Sequence, residues 1–411
     1  MQITEQSAKQ NLGIEPAPHL HAPMSTEKIM LIVIMSLIPA LAVMTYFFGF
    51  GTLIQFVIAG LTALICQVLV ALMRLRSVKR ALKDPSGLVT ALLLALTLPQ
   101  LLPWYYTLIA TLFAMLLVRE CFGGLGQNLF NPAMSGFIFL VISAPGVFYS
   151  TWVTPTPNAI SVASPMRSFD VIVLGEDPVV LIDEIKELNR INEQEAALEK
   201  SKTLSLAQDA KHNQEGHQDE PMLNYSPEAI LNGHLTTDGI TGATYLESIK
   251  TARKAGGVSN HLPVDLMSPS FMAYVYLAAA YALGGLALIL TRVIHFQVPL
   301  AFLGAMAVAS AAWYHLDPSA TINVLEHLVM GGTMLGAFYI ITDPVTTCGT
   351  FKGRILLSAI IGLLVIVIRV HGSYSDSVAF AVMLGNCLAP LMDVMTKRRP
   401  FGIGYRPGGL D

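Results

Sequence analysis

Ten apolar runs constrain this chain more than anything else in it. They fall at about 28–48, 50–73, 86–101, 103–119, 132–149, 271–291, 298–314, 323–341, 355–370 and 376–394, and most approach the roughly 20 residues a helix needs to cross the hydrocarbon of a bilayer. Inside lipid no water satisfies backbone N–H and C=O groups, so runs of this kind close their hydrogen bonds internally as helices. The expected fold is an all-α polytopic integral membrane protein with about ten transmembrane helices. Composition agrees: 53% of the 411 residues are hydrophobic and 13% charged, about half the charged fraction of a soluble protein. A net charge of −3 gives no basic surface for nucleic acid, and no nucleic-acid module is recognisable, so that class is excluded.

Lysine and arginine set the expected orientation. Arg74, Arg76, Lys79, Arg80 and Lys83 follow the second run, Arg119 the fourth, Arg292 the sixth, Lys352 and Arg354 the eighth, and Lys397, Arg398 and Arg399 the tenth. The connections at 48–51, 99–103, 315–323 and 371–375 contain neither lysine nor arginine. By the positive-inside rule both termini are cytoplasmic and the long 150–270 connection lies outside. The organisation expected is a cytoplasmic tail over 1–27, a first membrane half over 28–149, a periplasmic loop over 150–270, a second membrane half over 271–394 and a cytoplasmic tail over 395–411. The first residues, with Pro16, Pro18 and Pro23, lack the pattern of a cleaved secretory signal and are expected to be retained.

The loop has two parts. The insertion at 181–220 is rich in Glu, Lys, Gln, Asn and Ala and contains no aromatic residue, so it reads as a solvated helix or disordered spacer. Beyond Asn224 apolar residues return, and "DGITGATYLESIKTARKAGG" (238–257) follows. A weak echo links the two membrane halves: "REC" at 119–121 leads through a glycine-rich run to Asn131-Pro132, and "GGTMLGAFYI" at 331–340 leads to Thr342-Asp343-Pro344. Both are cytoplasmic exits in the charge-derived orientation, which suits a parallel repeat pairing runs 2–5 with 6–9.

Candidate chemistry sits in these exits and in the loop. "GGLGQN" at 123–128 lacks the third glycine and the strand context of a dinucleotide site. Its bare amides, with the side chains of Asn128 and Asn131, suit either a polar cavity at membrane depth or close packing of helices through small residues. Asp84, Glu120, Glu326, Asp343, Arg369 and Asp393 are ionisable groups near or within runs, where charge is costly and marks ion paths. Asp343 has the best claim among them, with Pro344 freeing a carbonyl and Thr342, Thr346 and Thr347 nearby. His295, His315 and His371 lie at predicted ends, and His19 and His21 form a lone H-x-H. Cys66, Cys121, Cys348 and Cys387 make no C-x-x-C pair and read as packing residues. No metal site is expected.

In the loop motif, Asp238 precedes Thr241, Gly242, Ala243 and Thr244. Thr241 or Thr244 can cap a helix over 245–254, with Glu247 in capping-box position to Thr244. The same threonine, cleared by Gly242 and Ala243, can also become a phosphoester, and a helix N-terminus favours the phosphate that would bring.

The D-x-x-[ST]-G-A-T pattern resembles the covalent flavin attachment signature of the Rnf and sodium-pumping NADH:quinone oxidoreductase families. "GGLGQNLFNPAM" (123–134), "GGTMLGAF" (331–338), "TDPVT" (342–346) and "VAFAVMLGNCLAPLMD" (378–393) resemble, in order, the D subunits of the Rnf electron-transport complex, also called Rsx. The B subunit of the sodium-pumping reductase is the near alternative.

The resemblance implies a multi-pass subunit of a bacterial inner-membrane, ion-translocating complex, with FMN joined through its phosphate to Thr244 by a flavin transferase and, by family analogy, a non-covalent riboflavin for which no residue is named. It further implies partner subunits, both membrane and peripheral, carrying flavin and iron–sulfur groups, and an electron relay coupled to ion movement. The surrounding partner is the lipid bilayer, and no catalytic residue is expected in this chain alone. A secondary transporter without a redox cofactor is the alternative from another class, and an inert assembly anchor is a third.

Overall fold

The computed structural model describes residues 25–124, 126–212, 269–316, 321–372 and 377–397. The first half opens with two long helices, α1 (Thr26–Phe48) and α2 (Gly51–Met73). A six-residue α3 (Val78–Lys83) leads into α4 (Ser86–Thr97). After a turn at 99–102, α5 (Trp104–Leu112) continues as a π-helical segment over Phe113–Glu120. The glycine-rich turn ends at Asn131, whose side chain caps α6 (Pro132–Ser143) by accepting from the amides of Ala133 and Met134; Pro132 sits at the first position, where its missing N–H costs nothing. The short α7 (Pro145–Ser150) and α8 (Pro165–Phe169) follow, and then α9 (Pro178–His212), 35 residues long.

The second half opens in the same way, with α10 (Pro269–Leu290) and α11 (Gln297–Leu316). A six-residue α12 (Val324–Val329) precedes α13 (Thr333–Leu335), which continues as a π-helical segment over Gly336–Ile340. A turn then leads to α14 (Phe351–His371) and α15 (Val378–Thr396).

Six helices, α1, α2, α10, α11, α14 and α15, are long and apolar enough to cross a membrane, at 19 to 23 residues each, and no strand occurs among the described residues. These correspond to six of the ten predicted runs. The other four are not single helices of that length. Pro99 and Pro103 bracket a turn between α4 and α5, Pro145 follows the end of α6, and Gly331-Gly332 separates α12 from α13. Prolines withhold a donor and glycines disfavour helix, so apolar character persists while the helix does not. At the first break a freed carbonyl is answered from α2, Gln55 Nε2 donating to Leu102 O at 2.5 Å, while the Gln100 side chain accepts from Val153 N at 3.1 Å. The outside of the bundle is as apolar as its core, with Leu61, Leu283, Leu300 and Val308 all exposed, as expected where the surrounding solvent is lipid rather than water.

The repeat is inverted. In each half two long helices are followed by a six-residue helix and then by three further helices, which pairs α1–α6 with α10–α15 in order. Helix α1 runs antiparallel to its counterpart α10: Phe47 stacks on Tyr276 near one end, and at mid-helix a Cβ on Gly284 would lie 2.1 Å from Ser36 O, so only glycine permits the approach. The last elements of the halves also meet, α6 packing on α15. Partners that meet at both ends of the repeat, in opposite directions, are related by a pseudo-two-fold axis in the membrane plane. The expected parallel pairing of runs 2–5 with 6–9 is therefore corrected; it rested on two Pro-containing exits that do not occupy equivalent places. The structural counterpart of Thr342-Asp343-Pro344, which follows α13, is Thr97-Leu98-Pro99, which follows α4.

Helix α9 alters the reading of 181–220 as a mere spacer. Leu181, Ile182 and Ile185 are buried in the main core. Further along, Asn192 Nδ2 donates to Thr156 Oγ1 at 3.0 Å, and Ser270 Oγ sits 3.0 Å from both Asn189 Oδ1 and Glu193 Oε1. The first four turns of the helix are thus docked on the membrane bundle, carried by an i, i+1, i+4 apolar set too small to stand out in a charged sequence.

Candidate functional site

Two turns meet at one end of the bundle. The glycine-rich turn at 121–131 places Gly123, Gly124 and Gly126 at positive φ, backbone that favours glycine. The second turn, 341–350, is built around Asp343, whose carboxylate accepts from Val345 N at 3.1 Å and from Thr346 Oγ1 at 3.3 Å. Between them stands Asn386 of α15, 4% exposed. With its amide oriented to satisfy its neighbours, Asn386 accepts from Asn131 N at 3.1 Å and donates to Thr346 O at 3.2 Å and Val382 O at 3.3 Å. Asn131 and Asp343, distant in sequence, are therefore joined through Asn386 and Thr346 into one hydrogen-bonded chain.

Asn128, on the same turn as Asn131, is also buried. Its Nδ2 donates to Phe130 O at 3.0 Å, and its Oδ1 is buried without a hydrogen-bond partner among the described residues, as is Thr347 Oγ1. Buried oxygens left open are costly and suit a site that receives a water or a cation. At the same end Asp393 accepts from Gly349 N at 2.9 Å and Thr350 N at 3.0 Å, so that carboxylate holds the entry to α14.

Two buried arginines hold the short membrane helices. Arg119, 4% exposed, donates to Ser86 Oγ at 2.7 Å and pairs with Asp84 at 3.1 Å and Glu120 at 3.4 Å. Arg74 pairs with Glu120 at 3.1 Å and donates to Glu120 O at 2.6 Å and Gly123 O at 3.1 Å, which ties the glycine-rich turn to the end of α2. In the other half Arg369, 8% exposed, donates to His327 O at 2.7 Å, Met330 O at 3.3 Å and Thr333 Oγ1 at 2.8 Å, with His327 Nδ1 at 3.5 Å. His327 Nε2 in turn lies 2.8 Å from Thr321 Oγ1. Arg119 lies near the end of the helix that follows α4 and Arg369 near the end of α14, its counterpart, and each grips the junction at the six-residue helix α3 or α12, so the two arginines occupy equivalent places in the repeat.

The structure brings together Asn131 and Asp343, with Asn128 beside Asn131. Asp238, Thr241, Gly242, Ala243 and Thr244 lie outside the described residues. The flanks of that segment, α9 and the start of α10, are described and bound to each other through Ser270, at the end of the bundle opposite the two turns. The donor set itself, a threonine hydroxyl behind Gly242 and Ala243, suits a phosphoester. No group of three or more His, Cys, Asp or Glu residues able to hold a metal occurs among the described residues. Asn386 and Gln55 are functional candidates that the sequence did not single out; each is an amide inside an apolar run, a signal that marks cost in hydrocarbon as surely as a charge does.

Comparison with known proteins places this architecture. The family described as "NQR2, RnfD, RnfE family" matches residues 13–402. The D subunit of the ion-translocating oxidoreductase complex of Vibrio vulnificus is 38% identical over 394 residues, covering 95% of this chain and 99% of that protein. The protein of the same name from Aliivibrio salmonicida is 36% identical, with 95% and 98% covered, and that from Yersinia pestis is 35% identical over 399 residues, with 95% and 98% covered. A match of this extent covers both membrane halves and the connection between them, and the chain belongs to the NQR2, RnfD, RnfE family.

Proposed function

We propose that this chain is a membrane subunit of a bacterial inner-membrane, ion-translocating electron-transport complex, with FMN esterified to Thr244 on the periplasmic side. The observation that carries the proposal is the conjunction of family membership over residues 13–402 with the Asp238 to Thr244 pattern in the long connection of the same chain. Attached FMN supplies one- and two-electron chemistry. The chain's own contribution is to anchor the carrier segment: Ser270, Asn189 and Glu193 join its two flanks.

On the opposite, cytoplasmic side, the linked turns form the entry to an ion path. Asp343 is its charged group, held by Val345 and Thr346, and the buried oxygens of Asn128 and Thr347 on the same two turns are left to water or a dehydrated ion. The repeat supports a functional role for Asp343: the equivalent turn in the first half is built with Leu98, fully buried, so the turn does not require a carboxylate. The partners are the other membrane and peripheral subunits of the complex and a flavin transferase for maturation.

The test is ultraviolet fluorescence of the denatured chain in a gel, wild type beside Thr244→Val, each produced with an active flavin transferase. A fluorescent wild-type band that is lost in the variant supports the reading. A dark wild-type band would remove it and leave a secondary transporter, which an inverted repeat with broken helices also suits.

A further inference from the structure

The break between α12 and α13 has the form of a hinge. Gly331-Gly332 forms it, with Gly331 at φ +68°, and a single guanidinium spans it. Arg369 binds His327 O and Met330 O on the near side and Thr333 Oγ1 on the far side. Thr333 Oγ1 itself donates back to His327 O or Met330 O, both at 3.0 Å. A guanidinium presents several donors in a fixed planar fork, which an ammonium on a flexible stem does not.

Arg369 stands two residues before the end of α14, close enough for a long side chain to reach the interface and its water. It turns inward instead and is 8% exposed. The helix it grips, α13 with its π segment, ends at Ile340 and runs directly into Thr342-Asp343.

We propose that Arg369 is a positioning residue that clamps the Gly331–Gly332 hinge and thereby fixes the register of the segment carrying Asp343. The consequence for Asp343 rests on the ion-path reading above; the clamp itself does not.

The test is hydrogen–deuterium exchange on the assembled complex in detergent, comparing wild type with Arg369→Gln and Arg369→Lys. Carbodiimide labelling of Asp343 is followed on the same samples. Loss of hydrogen bonds from a charged donor is expected to speed exchange over 328–341 by on the order of tenfold, to leave 86–98 in the other half unchanged, and to raise labelling of Asp343 severalfold. Lysine keeps the charge without the fork and is expected not to restore the wild-type rate.

Unchanged exchange in Arg369→Gln, or full rescue by lysine, would overturn the clamp. If neither variant assembles, Thr333→Val removes the far-side anchor together with the hydroxyl's own bond to His327 O or Met330 O, and Thr333→Ser, which keeps the hydroxyl, is its control: the valine variant must speed exchange over 328–341 and the serine variant must not, and no change in the valine variant would overturn the proposal as well. Failure of the ion-path reading shows separately, as Asp343→Asn with wild-type ion transport while the exchange results stand.

Discussion

The two arginines at equivalent places in the inverted repeat solve one problem in two ways. Arg119 is answered by the side chains of Asp84, Glu120 and Ser86, so its partners are replaceable one at a time. Arg369 grips backbone, the carbonyls of His327 and Met330, together with the Thr333 hydroxyl. A carbonyl cannot be mutated away, so in the second half the charge is committed to the shape of the chain itself. The same asymmetry recurs at the turns, where Leu98 stands in one half and Asp343 in the other. At this pair of equivalent places the first half sets its charge against side chains and the second sets it against backbone.

The largest expected effect comes from breaking each anchor. Arg119→Leu leaves Asp84, whose side chain is 33% exposed, without this partner while Glu120 keeps Arg74, and is expected to cost about 3 kcal/mol, the low end for removing one member of a buried ion pair. The loss is read as a lower melting temperature and a lower yield of the detergent-solubilised protein. Arg369→Leu is expected to cost a similar amount through orphaned carbonyls. The two differ in rescue: Asp84→Leu combined with Arg119→Leu recovers part of the loss, whereas Thr333→Val combined with Arg369→Leu is expected to recover less, because the carbonyls of His327 and Met330 still lose the guanidinium. Equal rescue in both halves would erase the distinction between them.

An intermediate effect is expected at Asn386, which joins the two turns. Asn386→Ala removes one acceptor contact and two donor contacts in a buried site and is expected to cost about 1–3 kcal/mol, again by thermal unfolding in detergent. Reconstituted ion transport should fall further than the loss of folded protein explains.

The smallest effect lies outside the membrane, where Arg167 binds Glu184 in a two-pronged pair between α8 and α9, with both side chains about 45% exposed. The guanidinium bond holds the Glu184 carboxyl below its ordinary range. Its contribution is therefore present above the unfolded carboxyl pKa and is lost as pH falls through the lowered folded value. Solvent screening limits it to at most about 1 kcal/mol. Glu184→Gln should lower stability slightly at neutral pH and not at all in strong acid.

Much of the fold was legible because hydrocarbon imposes a strict rule on length and polarity. The six continuous spans lie within a few residues of their apolar runs, Asn131-Pro132 starts α6 out of a turn, and Asp343-Pro344 lies in one. What escaped was tertiary. Broken runs such as 98–103 stay apolar, so hydropathy counts them as helix, and only Pro99, Pro103 and Gln100 betray the break. The direction of the repeat depends on how α1 meets α10, which sequence echoes do not encode. The docking of α9 depends on three apolar residues in a charged helix, and the bridge at Asn386 on one amide in a run of apolar neighbours.

Centrally, the FMN proposed at Thr244 and the ion path proposed at Asp343 serve one coupled process. The direct measurement is ion accumulation in vesicles containing the assembled complex and driven by a chemical reductant, with wild type, Thr244→Val and Asp343→Asn compared at equal protein content. The expected result is that Thr244→Val abolishes both electron flow and ion uptake, while Asp343→Asn lowers ion uptake far more than electron flow. Wild-type ion uptake driven by the same electron flow in Thr244→Val would contradict the account.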